Sequence, residues 1–484
     1  MGENVKYKEV SNECSPEINM SKFAEEWDNL FKFEDRSELL EYVLEYQNIP
    51  MWPLIRNQVI VYGIRAKYNL NTPIRNKNYH SERNTVREVL HRNPFFSIHK
   101  DVVYVGFPSS NFTRDNTGVF YDERIKKYYD VIKSSSMIVS VSDYIGAEYA
   151  YKNWKSDYVV NELAQKRKKR SIKDIQTLKR FVRFLDDVCP IKIDTELKKI
   201  IYRQIMVFSR YLEGYVRAWK LYLKIVRPKL VIEYCGCFMG ISNVAMNLAC
   251  YDMDIPTADI QVCWLGRKNH SHYCGKSILE SSICKKIYPD YFLTWGKYWE
   301  TKVRNPCKKV IIGTHRKYNK SQKNNNILIC IGLYYEAYVK YVDWVMNHSD
   351  NDVEIYLRLH PKENIASVRA IFSAFQNDKR FHFANDNDLQ YYLDKCTYFI
   401  TNGSTVVFEA LACGKKVFVI EDASYDMYDL YDIADRIYHF KTIEEFEELW
   451  LHRESMSMKI YNDFFDMNYE KLLKKFVQKI SMQK

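Results

Sequence analysis

The sequence predicts an α/β protein with two doubly wound domains, each a parallel sheet covered by helices. Short apolar runs rich in Val, Ile and aromatic residues alternate with amphipathic segments of helical spacing. Such alternation is typical of parallel strands joined by right-handed helical crossovers. The alternation starts at about Asp101 and again at about Asn325, so we expect two sheets in succession.

Length and composition agree with this class. The chain has 484 residues, which at ~150 residues per domain is too long for one ordinary core. Its hydrophobic content is 46%, with only 15 Gly and 12 Pro, so a disordered or collagen-like chain is excluded. The 12 Cys form no CxxC pair, and Cys235 and Cys237 make a lone CxC without a second pair at metal-binding spacing. We therefore expect free, mostly buried thiols in a reducing compartment.

The positive charge is spread over the chain except for one basic run. The net charge is +11, and the dense run is QKRKKRSIKDIQTLKR at Gln165–Arg180. It is either a solvated helix face or a peripheral contact for anionic lipid or an anionic acceptor. Nucleic acid is not an expected partner, because no recognisable nucleic-acid module accompanies the charge.

Targeting signals and membrane spans are not expected. No apolar run reaches the ~18 residues that a membrane-spanning helix needs. The first residues, MGENVKYKEVSNECS, lack the apolar core of a signal peptide. The expected location is the cytoplasm, with the basic run as a contact to the inner membrane face.

The alternation divides the chain into four predicted regions and a linker. A helical extension covers 1–100, a first Rossmann-like domain 101–300, a second 325–440, and closing helices 441–484. The polar stretch at 304–326 is predicted to be the linker.

Small polar residues follow the fourth strand of the second domain, in TNGSTVVFEALACGKKVFVIE. Gly403 permits close approach of a ligand, and Ser404 and Thr405 add hydroxyl donors where a helix is predicted to begin. A helix start has unpaired N–H groups and a positive dipole end, which together bind phosphate. The alternative is that Ser404 and Thr405 only cap the helix.

Two further residues of the second domain are candidates for the same site. Glu409 lies one turn along the predicted helix among apolar neighbours, where a carboxylate can accept hydrogen bonds from a ribose diol. His360, fixed by Pro361, follows the strand VEIYLRL. Because ligands of open parallel sheets bind beyond the carboxyl ends of strands, His360 is predicted to contact the same nucleotide.

The run RLHPKE followed by TNGSTVVFEALACGKKVFVIE resembles the C-terminal half of bacterial GT-B glycosyltransferases of capsule and lipopolysaccharide synthesis. The HP pair and the Ser/Thr pair are similar to donor-binding motifs of sialyltransferases and Kdo transferases, which use CMP-sugars. The resemblance implies a cleft between two Rossmann-like domains, a nucleotide-sugar donor as substrate, no further cofactor, and a surface glycan or lipid-linked acceptor.

The first domain resembles the acceptor side of the same proteins, with one departure. A Gln-His-Gly or an acidic segment follows the IPT strand in that group, whereas Gln261, Val262 and Cys263 stand here. An inverting transfer needs a general base near the acceptor hydroxyl. The candidates are Glu233, Asp259 and His272, with further acids at Asp115 and Asp122.

Each base candidate has a structural alternative. Glu233 is otherwise a core carboxylate satisfied by backbone N–H groups or by an arginine, and Asp259 an ordinary strand-edge residue. His272 is otherwise a surface histidine with no cysteine or acid at zinc spacing in the sequence.

Three other functions remain open at this stage. They are a CDP-glycerol-type polyol-phosphate transferase, a nucleotide-sugar 2-epimerase, and a glycan-binding scaffold without catalysis. No HExxH, Walker or GxGxxG motif is present; no metal ligand is assigned, and metal-independent transfer is expected.

Overall fold

The computed structural model describes residues 20–65, 98–106, 112–114, 120–122, 127–139, 171–314, 318, 324–331, 335–359, 365–386 and 388–482. The predicted α/β class with two parallel sheets is confirmed, and the succession of two Rossmann-like units is GT-B-like. By contacts the chain forms two compact units. The N-terminal unit holds Glu26–Lys320, Leu411–Gly414 and Lys459–Lys484, and the C-terminal unit holds Met1–Glu25, Ser321–Ala410 and Lys415–Met458.

Six described strands form the sheet of the N-terminal unit, all parallel, in the order β4-β1-β5-β6-β7-β8. They are β1 (Val102–Gly106), β4 (Ser135–Val139), β5 (Leu230–Tyr234), β6 (Thr257–Ile260), β7 (Tyr291–Thr294) and β8 (Lys308–Ile311). A separate antiparallel hairpin pairs β2 (Phe112–Arg114) with β3 (Phe120–Asp122). The strand order reverses between β1 and β5, so the carboxyl ends of these two strands mark the crevice where ligands of open sheets bind.

The position of β8 corrects the prediction that 304–326 is only a linker. Lys308–Ile311 pairs in parallel with β7 as the outer strand of the sheet. Its residues are exposed or half-buried, which is why the sequence there lacks the apolar run of a central strand.

The described helices of this unit in chain order are α1 (Met20–Glu34), α2 (Met51–Ile60), α3 (Ile172–Val188), α4 (Thr195–Val226), α5 (Ile241–Tyr251), α6 (Lys276–Glu280), α7 (Ser282–Ile287) and α8 (Lys297–Lys302). The longest, α4, begins where Asp194 caps the N–H of Leu197 at 2.8 Å and ends at Arg227 in the left-handed conformation. Between these caps an apolar stripe at helical spacing is buried.

Six described strands also form the sheet of the C-terminal unit, in the order β11-β10-β9-β12-β13-β14. They are β9 (Ile327–Ile331), β10 (Ile355–Leu359), β11 (Phe381–Phe383), β12 (Tyr398–Thr401), β13 (Lys416–Ile420) and β14 (Tyr438–Phe440). Numbered within the unit, this is the 3-2-1-4-5-6 order of dinucleotide-binding sheets, with its reversal between β9 and β12.

The described helices around this sheet are α9 (Glu336–His348), α10 (Ile365–Ile371), α11 (Leu389–Lys395), α12 (Val406–Ala412), α13 (Ala423–Met427) and α14 (Ile443–Leu451). Helix α14 packs on the sheet through an aromatic core, in which its residues Phe446 and Trp450 contact Phe418 of β13. The last helix, α15 (Tyr469–Met482), returns to the N-terminal unit, where Leu473 and Phe476 pack in the core with strand residues of the first sheet.

A fully buried ion pair joins the first two helices to a loop of the N-terminal unit. Glu34 at the end of α1 accepts from Arg56 Nε at 2.6 Å and Nη2 at 2.9 Å, and from Trp52 Nε1 at 2.9 Å. The N–H of Gly275 also donates to Glu34, at 3.0 Å. Arg56 donates to the carbonyls of His270 and Tyr273. The loop at 270–275 is therefore held by α1 and α2.

Replacing Glu34 by Ala should destabilise the N-terminal unit by about 3–5 kcal/mol, because it leaves the Arg56 guanidinium buried without its counter-ion. Urea unfolding followed by tryptophan fluorescence measures this loss. The matched control is Asp186→Asn, which breaks the half-exposed pair with Lys198 and should cost less than about 1 kcal/mol. Equal effects of the two substitutions would contradict the importance assigned to the buried pair.

Candidate functional site

The turn after β12 lies at the reversal point of the C-terminal sheet. Thr401 ends β12, and Asn402 is fully buried and donates to Asp422 Oδ2 at 3.1 Å. Gly403 has φ +98°, a conformation in which a side chain would be strained. The chain then turns into α12, which begins at Val406. The turn is thus fixed from beneath by Asn402, while Ser404 and Thr405 are half-buried at the sheet edge.

The hydroxyl of Ser404 faces the start of α12. Its oxygen accepts weakly from the N–H of Val406 at 3.4 Å, and its carbonyl accepts from Val407 at 3.1 Å. Helix α12 begins two residues after Ser404, so the predicted start at Ser404 or Thr405 is displaced by no more than the usual uncertainty of helix ends. A long hydrogen bond of this kind leaves the hydroxyl able to serve a ligand.

Glu409 lies in the first turn of α12 and is 8% exposed. Its neighbours Val407, Phe408 and Ala410 are buried. Burial raises the pKa of Cys330 on β9 to about 12; the positive charge of Arg358 opposes this rise and the negative charge of Glu409 adds to it. The carboxylate of Glu409 is therefore close to the carboxyl end of β9. Strand β9 pairs with β12, the strand that leads into the turn.

The end of β10 is held to the next loop by side chains. Asn385 accepts from the N–H of Leu359 at 3.3 Å and donates to its carbonyl at 3.3 Å. Arg358 donates to the Ala384 carbonyl at 2.7 Å, with its guanidinium 5.7 Å from the centroid of the Tyr392 ring. His360 and Pro361, which follow Leu359 in the sequence, lie outside the described residues. Their contact with a nucleotide stays a prediction.

In the N-terminal unit, two of the predicted base residues are direct neighbours on paired strands. Glu233 on β5 is in register with Asp259 on β6. Their exposed fractions are 1% and 0%. Glu233 Oε2 accepts from Asn243 Nδ2 at 2.8 Å, and Asp259 Oδ2 accepts from the N–H of Cys237 at 3.0 Å. Asp259 is therefore a core residue of an inner strand, which corrects the strand-edge alternative.

The second oxygen of each carboxyl group is buried without a hydrogen bond, namely Glu233 Oε1 and Asp259 Oδ1. Among the described residues, no lysine or arginine forms an ion pair with either group. Burial, and then the charge of Asp259, raise the pKa of Glu233 well above its usual value. Burial also raises the pKa of Asp259 to about 6, against the lowering effect of backbone N–H groups. Both shifts favour the protonated, neutral form of each carboxyl group.

His272 is also buried, with an exposed fraction of 2%. Its ring centroid lies 4.7 Å from that of Phe292 and 6.1 Å from that of Phe238. Burial, with the charge of Arg56, lowers the pKa of His272 to about 3, so the imidazole is neutral. The alternative of a surface histidine is wrong, because α1 and α2 cover this loop through the Glu34–Arg56 pair.

The fold places Cys237, which the sequence analysis considered only as part of a lone CxC, beside two of the predicted residues. One ligand-type atom each of Cys237, Asp259 and His272 lies within 4.8 Å of the other two, and all three residues are buried. These residues are distant in sequence and come from three different loops or strands, so no spacing pattern signals them. The described geometry brings Glu233, Asp259 and His272 together, but their burial gives an acceptor no direct access to them in this conformation.

The remaining residues of the acceptor-side prediction have structural contacts or are not described. Gln261 accepts from the N–H of Trp295 at 2.8 Å and donates to the Cys263 carbonyl at 3.0 Å, so it joins the ends of β6 and β7. Asp122 ends β3. Asp115 lies outside the described residues.

The basic run Gln165–Arg180 is described only from residue 171 onward. There it begins α3, with Lys173, Lys179 and Arg180 exposed and Asp174 buried. This part is the solvated face of an amphipathic helix, and its contact with a membrane stays a prediction. No helix in the described part of the chain is long and apolar enough to cross a membrane.

Comparison with known proteins finds one family model that matches part of the chain, and a set of solved structures with similar folds. Residues 321–469, under a third of the chain, match the family model described as "Capsule polysaccharide biosynthesis protein". This agrees with the predicted resemblance at the level of capsule synthesis. The narrower resemblance to sialyltransferases and Kdo transferases stays a prediction. No curated protein sequence matches the chain.

Solved structures with similar folds include two epimerases and one further enzyme. UDP-GlcNAc 2-epimerase from Neisseria meningitidis is 11% identical, with 78% of this chain and 100% of that chain covered and a TM-score of 0.43. A putative UDP-N-acetylglucosamine 2-epimerase from Listeria monocytogenes is 12% identical, with 80% and 98% covered and a TM-score of 0.46. Acinetobacter baumannii MurG is 11% identical, with 79% and 99% covered and a TM-score of 0.43. At these values the similarity says nothing about substrate.

The close packing at the bend after β5 predicts how a substitution there changes stability. A Cβ atom on Gly236 would overlap the carboxyl group of Glu233, which has no free space to move into. Gly236→Ala should therefore destabilise the unit by about 1–3 kcal/mol. Gly240→Ala is the control, because a Cβ there would meet only Asn243 Oδ1 at 3.0 Å. Thermal unfolding of both variants measures the difference, and equal melting temperatures would contradict the packing described for Glu233.

Proposed function

We propose that the chain is a glycosyltransferase that moves a sugar from a nucleotide-sugar donor to a growing surface glycan or a lipid-linked acceptor. The observation that carries the proposal is the Gly403–Thr405 turn at the reversal point of a 3-2-1-4-5-6 sheet, with buried Glu409 one turn further on. The match to a capsule polysaccharide biosynthesis family covers the same turn and helix.

The turn supplies what a departing nucleotide phosphate requires. Gly403 has no side chain to block an approaching phosphate, and the backbone N–H groups of Ser404 and Thr405, just before α12, are proposed to donate to it. The hydroxyls of Ser404 and Thr405 add two donors, and His360 is proposed to add a third from the neighbouring loop. Donors fixed before the reaction stabilise developing negative charge, each by ~3 kcal/mol. We propose that they do so without a divalent cation at the phosphate.

Glu409 is proposed to bind the ribose of the donor. A carboxylate accepts two hydrogen bonds from a vicinal diol, and such bonds to a charged group are stronger than neutral ones. CMP-sugars are the first choice of donor because of the HP pair, with UDP- and CDP-linked donors as the alternatives.

The acceptor is proposed to bind the N-terminal unit, and the base that takes its proton is proposed to come from Glu233, Asp259 and His272. Burial raises the pKa of Asp259 to about 6, close to the neutral pH that favours general base catalysis. Because all three are buried, the acceptor would have to move the covering loops before it reached them.

Substitutions in the turn and the helix should separate phosphate binding from ribose binding. Ser404→Ala should weaken binding of CMP or UDP about 10–100-fold, since a hydrogen bond to a charged group contributes ~1.5–3 kcal/mol. It should leave binding of cytidine or uridine unchanged, whereas Glu409→Gln should weaken nucleoside and nucleotide alike. Titration calorimetry measures both.

Ser373→Ala, an exposed serine of the same unit, is the control and should bind as wild type does. If Ser404→Ala weakens nucleoside and nucleotide equally, the turn does not bind phosphate. If the folded wild-type chain binds none of CMP, UDP and CDP, the donor site itself is refuted.

Product analysis should distinguish the transferase from its rivals. With CMP- or UDP-sugar and a bacterial glycan acceptor, we expect a mass increase of one sugar and release of free nucleotide. A product that gains a phosphate-containing group indicates a polyol-phosphate transferase. Conversion of UDP-GlcNAc without acceptor indicates an epimerase. Nucleotide binding without any product identifies a scaffold.

A further inference from the structure

The buried cluster in the N-terminal unit has the composition of a metal site. Cys237 follows the bend after β5, Asp259 lies on β6, and His272 lies in the loop held by α1 and α2. Their ligand-type atoms are mutually within 4.8 Å. Sulfur, imidazole nitrogen and carboxylate oxygen in one small space are the donors that Zn²⁺ prefers.

Unpartnered polar atoms in the cluster point independently to a ligand. Asp259 Oδ1 and His272 Nδ1 are buried and have no hydrogen bond. Each such atom costs free energy in a folded protein unless something binds it. Glu233 Oε1, on the adjoining strand, is a third. Two adjacent carboxyl groups without a basic partner among the described residues make this interior a place where a cation would be stabilised.

A second thiol lies beside the cluster. Cys307 Sγ lies 3.9 Å from Cys237 Sγ, but Cys307 is not one of the three residues whose ligand-type atoms are mutually within 4.8 Å. Asn305 Nδ2 is 3.4 Å from Cys237 Sγ, and Asn305 Oδ1 accepts from the N–H of Cys307 at 3.2 Å. An amide that donates to a ligand sulfur is the kind of supporting contact found around metal sites.

We propose that Cys237, Asp259 and His272 bind one Zn²⁺ ion, each through one atom. The ion fastens the bend after β5 and the 270–275 loop to strand β6. It is separate from the donor phosphate, which belongs to the C-terminal unit. With the ion bound, Asp259 and His272 are ligands, which leaves Glu233 as the remaining candidate for the catalytic base.

Metal content and cobalt substitution test the proposal without any activity assay. Full-length protein purified without chelator should hold one zinc per chain by elemental analysis. After removal of the metal, added Zn²⁺ should raise the melting temperature, because an ion that binds only the folded state stabilises it. Added Co²⁺ should give the intense near-ultraviolet absorption of thiolate-to-cobalt charge transfer.

Three substitutions locate the site, and a fourth is the matched control. Cys237→Ser, Asp259→Asn and His272→Gln should each weaken Zn²⁺ binding at least about tenfold, and Cys237→Ser should reduce the thiolate absorption. Cys284→Ser replaces another buried thiol of the same unit, outside the cluster, and should bind Zn²⁺ as wild type does. Circular dichroism checks that each variant folds.

Two results would overturn the proposal. The first is wild-type protein that holds no zinc and shows neither a melting shift with Zn²⁺ nor charge-transfer absorption with Co²⁺. This result needs no variant, so it decides the matter even if a substitution prevents folding. The second is unchanged Zn²⁺ affinity in Cys237→Ser and His272→Gln, which would assign the bound zinc to other residues.

Discussion

Both units depend on one constraint of parallel sheets. Every connection between neighbouring parallel strands has to cross a face of the sheet, so the loops that follow the strands collect at one edge. Where the direction of winding reverses, two such loops diverge and leave a crevice. This happens between β1 and β5 in one sheet and between β9 and β12 in the other. The polar residues that we propose to bind the donor and the acceptor lie at or next to these two reversals.

The two reversals are nevertheless built differently. In the C-terminal unit the polar turn is small and half-buried, because Gly403 adopts a positive φ and Asn402 is fixed to the next loop. Its donors are ready for an anion. In the N-terminal unit, Glu233 and Asp259 are enclosed by the bend after β5 and by the loop that the Glu34–Arg56 pair holds. There, two buried carboxyl groups favour neutral side chains or a bound cation, whereas the turn in the C-terminal unit favours a bound anion.

The parts of this picture that the sequence predicts are those that depend on neighbours along the chain. The alternation of strands and helices is local, and so is the turn at Ser404, with Gly before it and an apolar helix after it. Edge strand β8 was missed because its residues are exposed or half-buried, so Lys308 and Lys309 interrupt the apolar run that would predict a strand. The association of Cys237 with His272 was missed because it requires the pairing of β5 with β6 and the loop position set by Arg56. No residue spacing encodes that arrangement.

The central claim is that the turn after β12 binds the phosphate of a nucleotide. A crystal structure of the full chain with CMP or UDP tests it most directly. The account predicts density for a phosphate within hydrogen-bond distance of Ser404 and of the N–H groups that begin α12, with the ribose at Glu409. A nucleotide bound at any other part of the molecule, with the Gly403–Thr405 turn free of ligand, would contradict it.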